Sequence, residues 1–288
     1  MLEIKNVTVR FGKNTILDHI NLKLEPGIYA LLGENGAGKT TLIRVLTTLL
    51  VPASGSVLYN GTDIQKLGSR FRDKVGYMPQ YAFYYPDFSA EEFLKYMCIL
   101  KHIPKKEQKE RICQLLRSVN LEQEKRKKIG NFSGGMRQRL GIAQTLLNDP
   151  EIIILDEPTA GLDPNERIRF RNLISEISKN KIVLLATHIV QDVELTANHV
   201  ILMHKGKILA ARQPRMLLEQ VKEKVVELCP DESDIEMITQ TYTVSNMIFD
   251  GNRTRMRIVL GEDECPPEGG QKVSPNLEEA FLYYIQKS

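Results

Sequence analysis

A glycine-rich stretch, GENGAGKT, occupies positions 33–40 and has the spacing of a phosphate-binding loop. In such a loop, glycines let backbone N–H groups close around the phosphates, the lysine reaches the terminal phosphates, and the following hydroxyl holds Mg²⁺. The apolar run GIYALLG before it and the helical spacing of TTLIRVLTTLL after it supply the strand–loop–helix context that this mechanism requires. The residues predicted to contact the bound phosphates or Mg²⁺ are Gly33, Glu34, Asn35, Gly36, Ala37, Gly38, Lys39, Thr40 and Thr41.

A second group of polar residues follows apolar segments that are typical of buried strands. The run IIIL leads into Asp156 and Glu157, KIVLLAT leads into His188, and KVGYMP leads into Gln80. Ligands bind at the carboxyl ends of strands in sheets of this kind. Asp156 could therefore hold Mg²⁺, and Glu157 could orient or activate an attacking water. The alternatives are solvated acids and a structural histidine; the turn PTAGLD after the acids favours residues held in place.

The stretch NFSGGMRQRL at positions 131–140 contains another device for holding an anion. Ser133 precedes Gly134, Gly135 and a segment with helical spacing, so a helix N-terminus is predicted there. Free N–H groups at such a terminus bind phosphates. The chain thus carries two phosphate-binding devices, and the residues alone leave open whether both contact the same phosphate.

The elements that position these residues alternate between apolar strands and helices, which predicts a parallel sheet with helices on its faces. Near the N-terminus, LEIKNVTVRF and ILDHINLKLEPG alternate apolar and polar residues, as half-buried antiparallel strands do. Residues from about 81 to 150 are interpreted as a helical insertion, in which Ser89 and Glu92 have capping-box spacing. The aromatic run YAFYYPDFS at its start could pack against the insertion or receive a helix of a membrane partner.

The segment after about residue 228 has a different pattern. YTVSNMIF and NRTRMRIVL flank Asp250 and Gly251, which predicts a β-hairpin. The segment NLEEAFLYYIQ begins with Asn276 and Glu279 in capping-box spacing, which predicts a helix. We therefore expect a domain over 1–228 that contains the phosphate site, and a small α+β appendage over 229–288.

Composition limits the possible partners and compartments. The 288 residues carry a net charge of +3, too small to argue for a nucleic-acid partner. The basic segment from 101 to 128 is interpreted as a solvated helix face, although such a face could also meet anionic lipid headgroups. Four well-separated cysteines without metal-ligand spacing are typical of reduced thiols in a cytosolic protein. No apolar run approaches the roughly 20 residues needed to cross a bilayer.

Residues 1 to about 228 closely resemble the ATP-binding cassette (ABC) family, because they carry its motifs in the family's order. These are the glycine loop, Gln80, SGG, LDE, GLD and His188. The resemblance implies an α/β fold with the P-loop NTPase core of the ABC ATPase type. That core has a mixed sheet with flanking helices, an antiparallel β subdomain and a helical insertion. The resemblance also implies an ATPase that uses ATP and Mg²⁺, and it makes a non-cassette P-loop kinase untenable.

The resemblance also assigns roles to individual positions. In the family, an aromatic residue at the position of Phe11 stacks on adenine; the alternative for this phenylalanine is core packing. Gln80 is implied to ligate Mg²⁺ together with Thr40 and Asp156. Glu157 is implied to be the general base, and His188 the residue that senses the γ-phosphate.

Pairing of two cassettes explains the two phosphate-binding devices. Family cassettes pair head to tail, so Ser133, Gly134 and Gly135 are implied to contact the ATP held by the glycine loop of the partner chain. The partner is a second cassette, identical or related. A helix N-terminus opposite a glycine loop would then enclose the phosphates from both sides, and a two-fold pair makes two such sites.

The resemblance further implies separate integral membrane permease subunits and a location at the cytoplasmic face of the cell membrane. Met136 stands where the usual family signature has glutamine, which resembles the multidrug and antibiotic exporter subgroup. An exporter is therefore expected, without a nucleic-acid partner. Two alternatives stay open: an importer cassette, and a soluble ABC ATPase that acts on ribosomes or DNA. Relatives of the latter kind usually carry two cassettes or a long coiled-coil insertion.

Overall fold

A six-stranded sheet forms the centre of the molecule, in a computed structural model that describes residues 1–81, 84–251 and 253–288. Five of its strands are parallel, and the edge strand β10 is antiparallel to β9. Both faces of the inner strands are buried, as expected from their continuous apolar runs. In spatial order the strands are β10 (Lys207–Arg212), β9 (His199–His204), β3 (Gly27–Leu32), β8 (Ile182–Thr187), β7 (Ile152–Asp156) and β6 (Val75–Met78).

An antiparallel sheet lies beside the central sheet and shares a hydrophobic core with it and with helix α1 (Lys39–Leu46). Its strands are β2 (Asn14–Leu24), β1 (Leu2–Phe11), β4 (Ser54–Tyr59) and β5 (Thr62–Asp63), in spatial order. The alternating pattern in β1 and β2 buries one face of each strand. The two predicted antiparallel strands are confirmed.

The segment between β6 and β7 is mainly helical and contains α4 (Ala90–Leu100), α5 (Lys105–Ser118) and α6 (Gly134–Thr145). The predicted capping box is present at α4, where the Ser89 side chain accepts from the N–H of Glu92. Of the aromatic run, Tyr84 packs against this helical core, whereas Tyr85 is half exposed. Ala82 and Phe83 lie outside the described residues.

Other helices connect the remaining strands of these two sheets: α2 (Ile64–Leu67), α3 (Ser69–Arg72), α7 (Pro164–Ile177) and α8 (Val190–Glu194). Helix α9 (Pro214–Val221) follows β10 and leads from the central sheet into the C-terminal part of the chain. Helix α7 begins with Asp163 as its N-cap and proline at its first position, a local pattern that the sequence DPNER carries. Among the described residues, no helix combines the length and apolar character needed to cross a membrane.

A third sheet, antiparallel throughout, lies in the C-terminal part of the chain. Its strands are β12 (Thr243–Asp250), β13 (Arg253–Val259), β11 (Val225–Leu228) and β14 (Gln271–Lys272), in spatial order, and α10 (Ile235–Thr241) packs against it. Strands β12 and β13 form the predicted hairpin, and Asp250 pairs with Arg253. Because β11 precedes residue 229, this sheet draws one strand from before the predicted boundary.

The C-terminal helix α11 (Leu277–Gln286) packs on the central sheet. Leu277 and Ala280 are fully buried in one cluster with residues of β3, α8, β9 and α9. The backbone N–H of Leu277 also donates to Glu194 Oε1 at 3.0 Å, which anchors the start of α11 to the end of α8. The predicted appendage therefore contributes directly to the core of the preceding part of the chain.

A buried ion pair joins α11 to the third sheet. Glu279 is 1% exposed, and its carboxylate accepts from Arg257 Nε at 2.7 Å and from Arg257 Nη2 at 3.0 Å. The Ser245 hydroxyl and the backbone N–H of Asn276 also donate to this carboxylate, at 3.0 Å and 2.9 Å. The Glu279 carboxylate thus keeps all of these hydrogen bonds only while the third sheet and α11 stay in contact.

Replacing Arg257 with alanine is expected to lower the free energy of unfolding by about 3–5 kcal/mol, because it leaves the Glu279 carboxylate buried without its counterion. Urea titration followed by circular dichroism measures this change. Arg255→Ala is the matched control: Arg255 lies two residues away on the same strand, in an exposed pair with Glu227, and its loss should cost about 1 kcal/mol or less. Equal effects of the two substitutions would contradict the role given to the buried pair.

Candidate functional site

A cavity of about 370 Å³ opens where the carboxyl ends of β3, β6, β7 and β8 meet. It brings together most of the residues that the sequence predicts. Its lining residues are Ile16, Glu34, Asn35, Gly36, Gly38, Lys39, Thr40, Thr41, Gln80, Asp156, Glu157 and His188. Strands β7 and β8 are direct parallel neighbours, which places the acids and the histidine side by side.

The glycine loop passes from β3 into α1 at Gly38, which has the left-handed φ of +106°. A Cβ atom at this position would lie 2.8 Å from Met203 Cε and 2.9 Å from Leu17 Cδ2. The left-handed backbone therefore requires glycine, and a larger residue would also have to displace the ends of these two side chains. Helix α1 begins directly after it, so its first N–H groups have no partner within the helix and are available to an anion.

Lys39, at the start of α1, is directed into the loop. Its Nζ donates to the carbonyl oxygens of Gly33 at 2.6 Å and Glu34 at 3.2 Å. Burial lowers the pKa of this ammonium, although Glu157 and Asp156 act in the opposite direction. A desolvated cation held by two carbonyls is a strong site for phosphate oxygens, which offer it full negative charge.

Oxygen donors for a cation converge below the loop. The Thr40 hydroxyl donates to Asp156 Oδ2 at 3.4 Å, and Gln80 lines the same cavity. Burial raises the pKa of Asp156, and the neighbouring charge of Glu157 raises it further. One carboxylate with hydroxyl and amide oxygens, beside a phosphate site, is a donor set that fits Mg²⁺. A bound cation would also compensate the cost of burying this carboxylate.

Glu157 is held by contacts with strand β8. Its Oε1 lies 2.9 Å from His188 Nδ1, and the Thr187 hydroxyl donates to its Oε2 at 3.4 Å. Its backbone has φ +49°, in the left-handed region that non-glycine residues rarely occupy, and its N–H donates to the carbonyl of Ala186 at 2.8 Å. Such strain commonly marks functional residues. The carboxylate is thereby directed toward the cavity that contains Lys39 and Thr40.

Phe11 and the segment Ser133–Gly135 are predicted site residues that lie away from this cavity. They are not among the described residues that line it. Phe11 is 53% exposed, so it is not part of the core, and stacking on adenine stays a prediction. Ser133 caps α6 as predicted, because its hydroxyl accepts from the N–H of Met136 at 3.2 Å. Ser133 and Gly134 are exposed and Gly135 is half-buried, so this helix start is accessible to a ligand held by another molecule.

The sequence profile of the ABC transporter family matches residues 17–160. A Nod factor export ATP-binding protein I from Cupriavidus metallidurans is 36% identical over 246 residues, which cover 84% of this chain and 80% of the relative. The chain belongs to the ABC transporter family. It is an ATP-binding subunit of an ABC transporter and an ATPase, and its central fold is that of an ABC cassette.

Two other similarities agree with this assignment. The bacitracin transport ATP-binding protein BcrA of Bacillus licheniformis is 37% identical over 212 residues, 73% of this chain and 68% of the relative. A solved dimeric ATP-binding cassette in a post-hydrolysis state, bound to ADP and Pi, is 26% identical and has a TM-score of 0.67. That similarity covers 74% of this chain and 98% of the solved one.

Some residues that line or support the site were not predicted from the sequence. Ile16 lines the cavity from β2, yet in the sequence it is one of many apolar strand residues. Thr187 contacts Glu157, and its position just before His188 was the available signal. The Gln138 side chain donates to the Pro158 carbonyl, a contact between sequence-distant segments for which the sequence gives no sign.

Proposed function

We propose that this ABC subunit hydrolyses Mg·ATP at two sites, each shared between two paired cassettes, and thereby powers export of a substrate through separate membrane subunits. The observation that carries the hydrolytic part is the placement of Glu157, bonded to His188, over the cavity that contains Lys39 and Asp156. A carboxylate held in this way can orient a water beside a phosphate and accept its proton.

Within one site, each residue would have a separate role. Lys39 and the N–H groups of the glycine loop would bind the phosphates of ATP, and Phe11 would stack on the base. Thr40, Asp156 and Gln80 would hold Mg²⁺, which neutralises phosphate charge when bound. His188 would keep Glu157 oriented and sense the terminal phosphate.

Pairing is supported by the exposed helix start at Ser133–Gly135, which lies outside the chain's own cavity. Under the proposal, this segment binds the phosphates held by the partner, and the solved relative described above is itself a dimer bound to ADP and Pi. Export is supported by the names of the two relatives described above and by Met136 in the signature. Under the proposal, the subunit lies beneath a permease at the cytoplasmic face of the membrane, and half-exposed Tyr85 would contribute to the docking surface.

Affinity capture of tagged Glu157→Gln protein from membranes, in mild detergent with ATP, tests the transporter part of the proposal. The expected result is one multi-span membrane protein in stoichiometric amount, detected by mass spectrometry. The matched control carries Lys39→Met in addition, because loss of ATP binding should reduce capture of the closed complex. Capture of ribosomal or DNA-bound factors without a membrane protein would overturn transport, and a requirement for a solute-binding protein would overturn export.

A further inference from the structure

The start of α6 and the start of α7 are in contact through one side chain, Glu166. A Cβ atom built on Gly135 would lie 3.2 Å from the Cγ, Cδ and Oε2 atoms of Glu166, so the carboxylate packs directly against the glycine segment. The side chain is 14% exposed. Its backbone N–H donates to the N-cap Asp163 at 2.9 Å, which fixes it to the first turn of α7.

The Glu166 carboxylate lies between two arginines from different helices. Oε1 accepts from Arg169 of α7 at 2.8 Å, while Oε2 lies 3.6 Å from Nε of Arg139 of α6. At 3.6 Å, Arg139 and Glu166 form an ion pair, but the two atoms are too far apart for a hydrogen bond. Arg139 Nε is therefore buried without a hydrogen-bond partner among the described residues. A cavity of about 180 Å³ between the two helices, lined in part by these residues, leaves room for the pair to close.

A second contact ties α6 to the hydrolytic end of the same chain. The Gln138 side chain donates to the carbonyl of Pro158, the residue directly after Glu157. Helix α6 is therefore held at its first turn by Glu166 and one turn later by the loop that follows β7. The segment that would serve the partner's nucleotide and the carboxylate that would serve the chain's own nucleotide lie on one connected unit.

We propose that Glu166 is a positioning residue that sets the Ser133–Gly135 segment for the nucleotide held by the partner cassette. This inference rests on the proposed function, because it requires that paired cassettes share their sites. Through its packing on Gly135 and its charge on Arg139, Glu166 fixes the direction in which the N–H groups at the start of α6 point. Closure of the Arg139–Glu166 pair satisfies a buried donor when the segment binds phosphate.

Glu166→Ala, made in the Glu157→Gln background, separates this role from general structure. Binding of a fluorescent ATP analogue to the single cassette should change by less than about twofold, because the chain's own cavity is intact. ATP-driven pairing, measured by analytical ultracentrifugation, should weaken at least about tenfold. Glu166→Gln keeps the shape and one acceptor oxygen but loses the charge toward Arg139, so it should recover the pairing only in part. Glu176→Ala, at an exposed acid further along α7, is the matched control.

Mixed pairs with two different tags show on which site Glu166 acts, again in the Glu157→Gln background. With Lys39→Met on one chain and Glu166→Ala on the other, both defects fall on one shared site, and the second site stays intact. With both substitutions on the same chain, each shared site carries one defect. Trapped radiolabelled ATP should therefore be about one per pair in the first arrangement and near zero in the second.

Three outcomes are distinguishable. The reversed pattern, with trapped ATP only in the same-chain arrangement, would overturn the proposal, because Glu166 would then serve its own chain's nucleotide. Unchanged pairing of Glu166→Ala would overturn it as well. Failure of the Glu157→Gln parent to pair or to trap ATP would instead overturn the shared-site function on which the inference rests.

Discussion

Glu157→Gln is expected to lower the rate of ATP hydrolysis by about 10²–10⁴-fold, the contribution typical of a positioned general base. ATP binding should be retained, because the glycine loop and Lys39 are untouched. Glutamine keeps the shape and a hydrogen-bond acceptor for His188 and Thr187, so the fold should also be retained. Phosphate release and equilibrium nucleotide binding, measured on the same preparation, separate the two effects.

Glu151→Gln is the matched control for this substitution. Glu151 precedes the same strand, β7, at the opposite end, where its half-exposed carboxylate pairs with Lys74 at 2.7 Å. The same chemical change there should leave hydrolysis within about twofold, since exposed ion pairs contribute little. Robust turnover by the Glu157→Gln protein would remove Glu157 from the role of base and leave His188 as the next residue to test.

Lys39→Met is expected to weaken ATP binding about 10–100-fold. Charge-assisted hydrogen bonds contribute about 1.5–3 kcal/mol each, and about 1.4 kcal/mol corresponds to a tenfold change in affinity. Methionine preserves most of the apolar stem that packs beneath the loop. Isothermal titration with ATP and Mg²⁺ measures the change, with Lys66→Met, at an exposed position on α2, as the control.

The same substitution should not destabilise the protein without nucleotide. Because burial lowers the pKa of Lys39, the folded state disfavours its charged form. A lowered lysine pKa means that the charge opposes folding at neutral pH, and removal of the charge relieves that cost. The melting temperature without ATP should therefore stay equal or rise, while the increase on adding ATP should become smaller. A large fall in the melting temperature without ATP would show that Lys39 mainly supports the fold.

Local signals made most of the fold and the site predictable. The glycine loop, the strand ends at Asp156 and His188, and the caps at Ser89, Asp163 and Asn276 are each encoded within a few neighbouring residues. Such features depend on backbone geometry and short-range hydrogen bonds, which leave a pattern in the sequence. The family assignment followed from their order along the chain.

Contacts between sequence-distant segments were not predictable in the same way. Nothing in the stretch DPNERIRF indicates that Glu166 packs on Gly135, because the contact depends on how α6 and α7 cross. The sequence also gives no sign of the left-handed backbone at Glu157, since glutamate has no preference for that region. Exposure of Phe11 also had to come from the structure, because an aromatic residue at a strand end suits either a core or a stacking surface.

The packing of α11 on the central sheet has a consequence for how the chain is made. Its buried partners include Ala30 and Leu32, which leave the ribosome long before Leu277 does. Once β9 and α9 have been synthesised, the apolar face that they form with β3 is not covered by α11 until that helix also emerges, and exposed apolar surface on a nascent chain promotes aggregation. The cassette therefore cannot complete its core until α11 has been synthesised, and we expect chaperones to bind this face during translation.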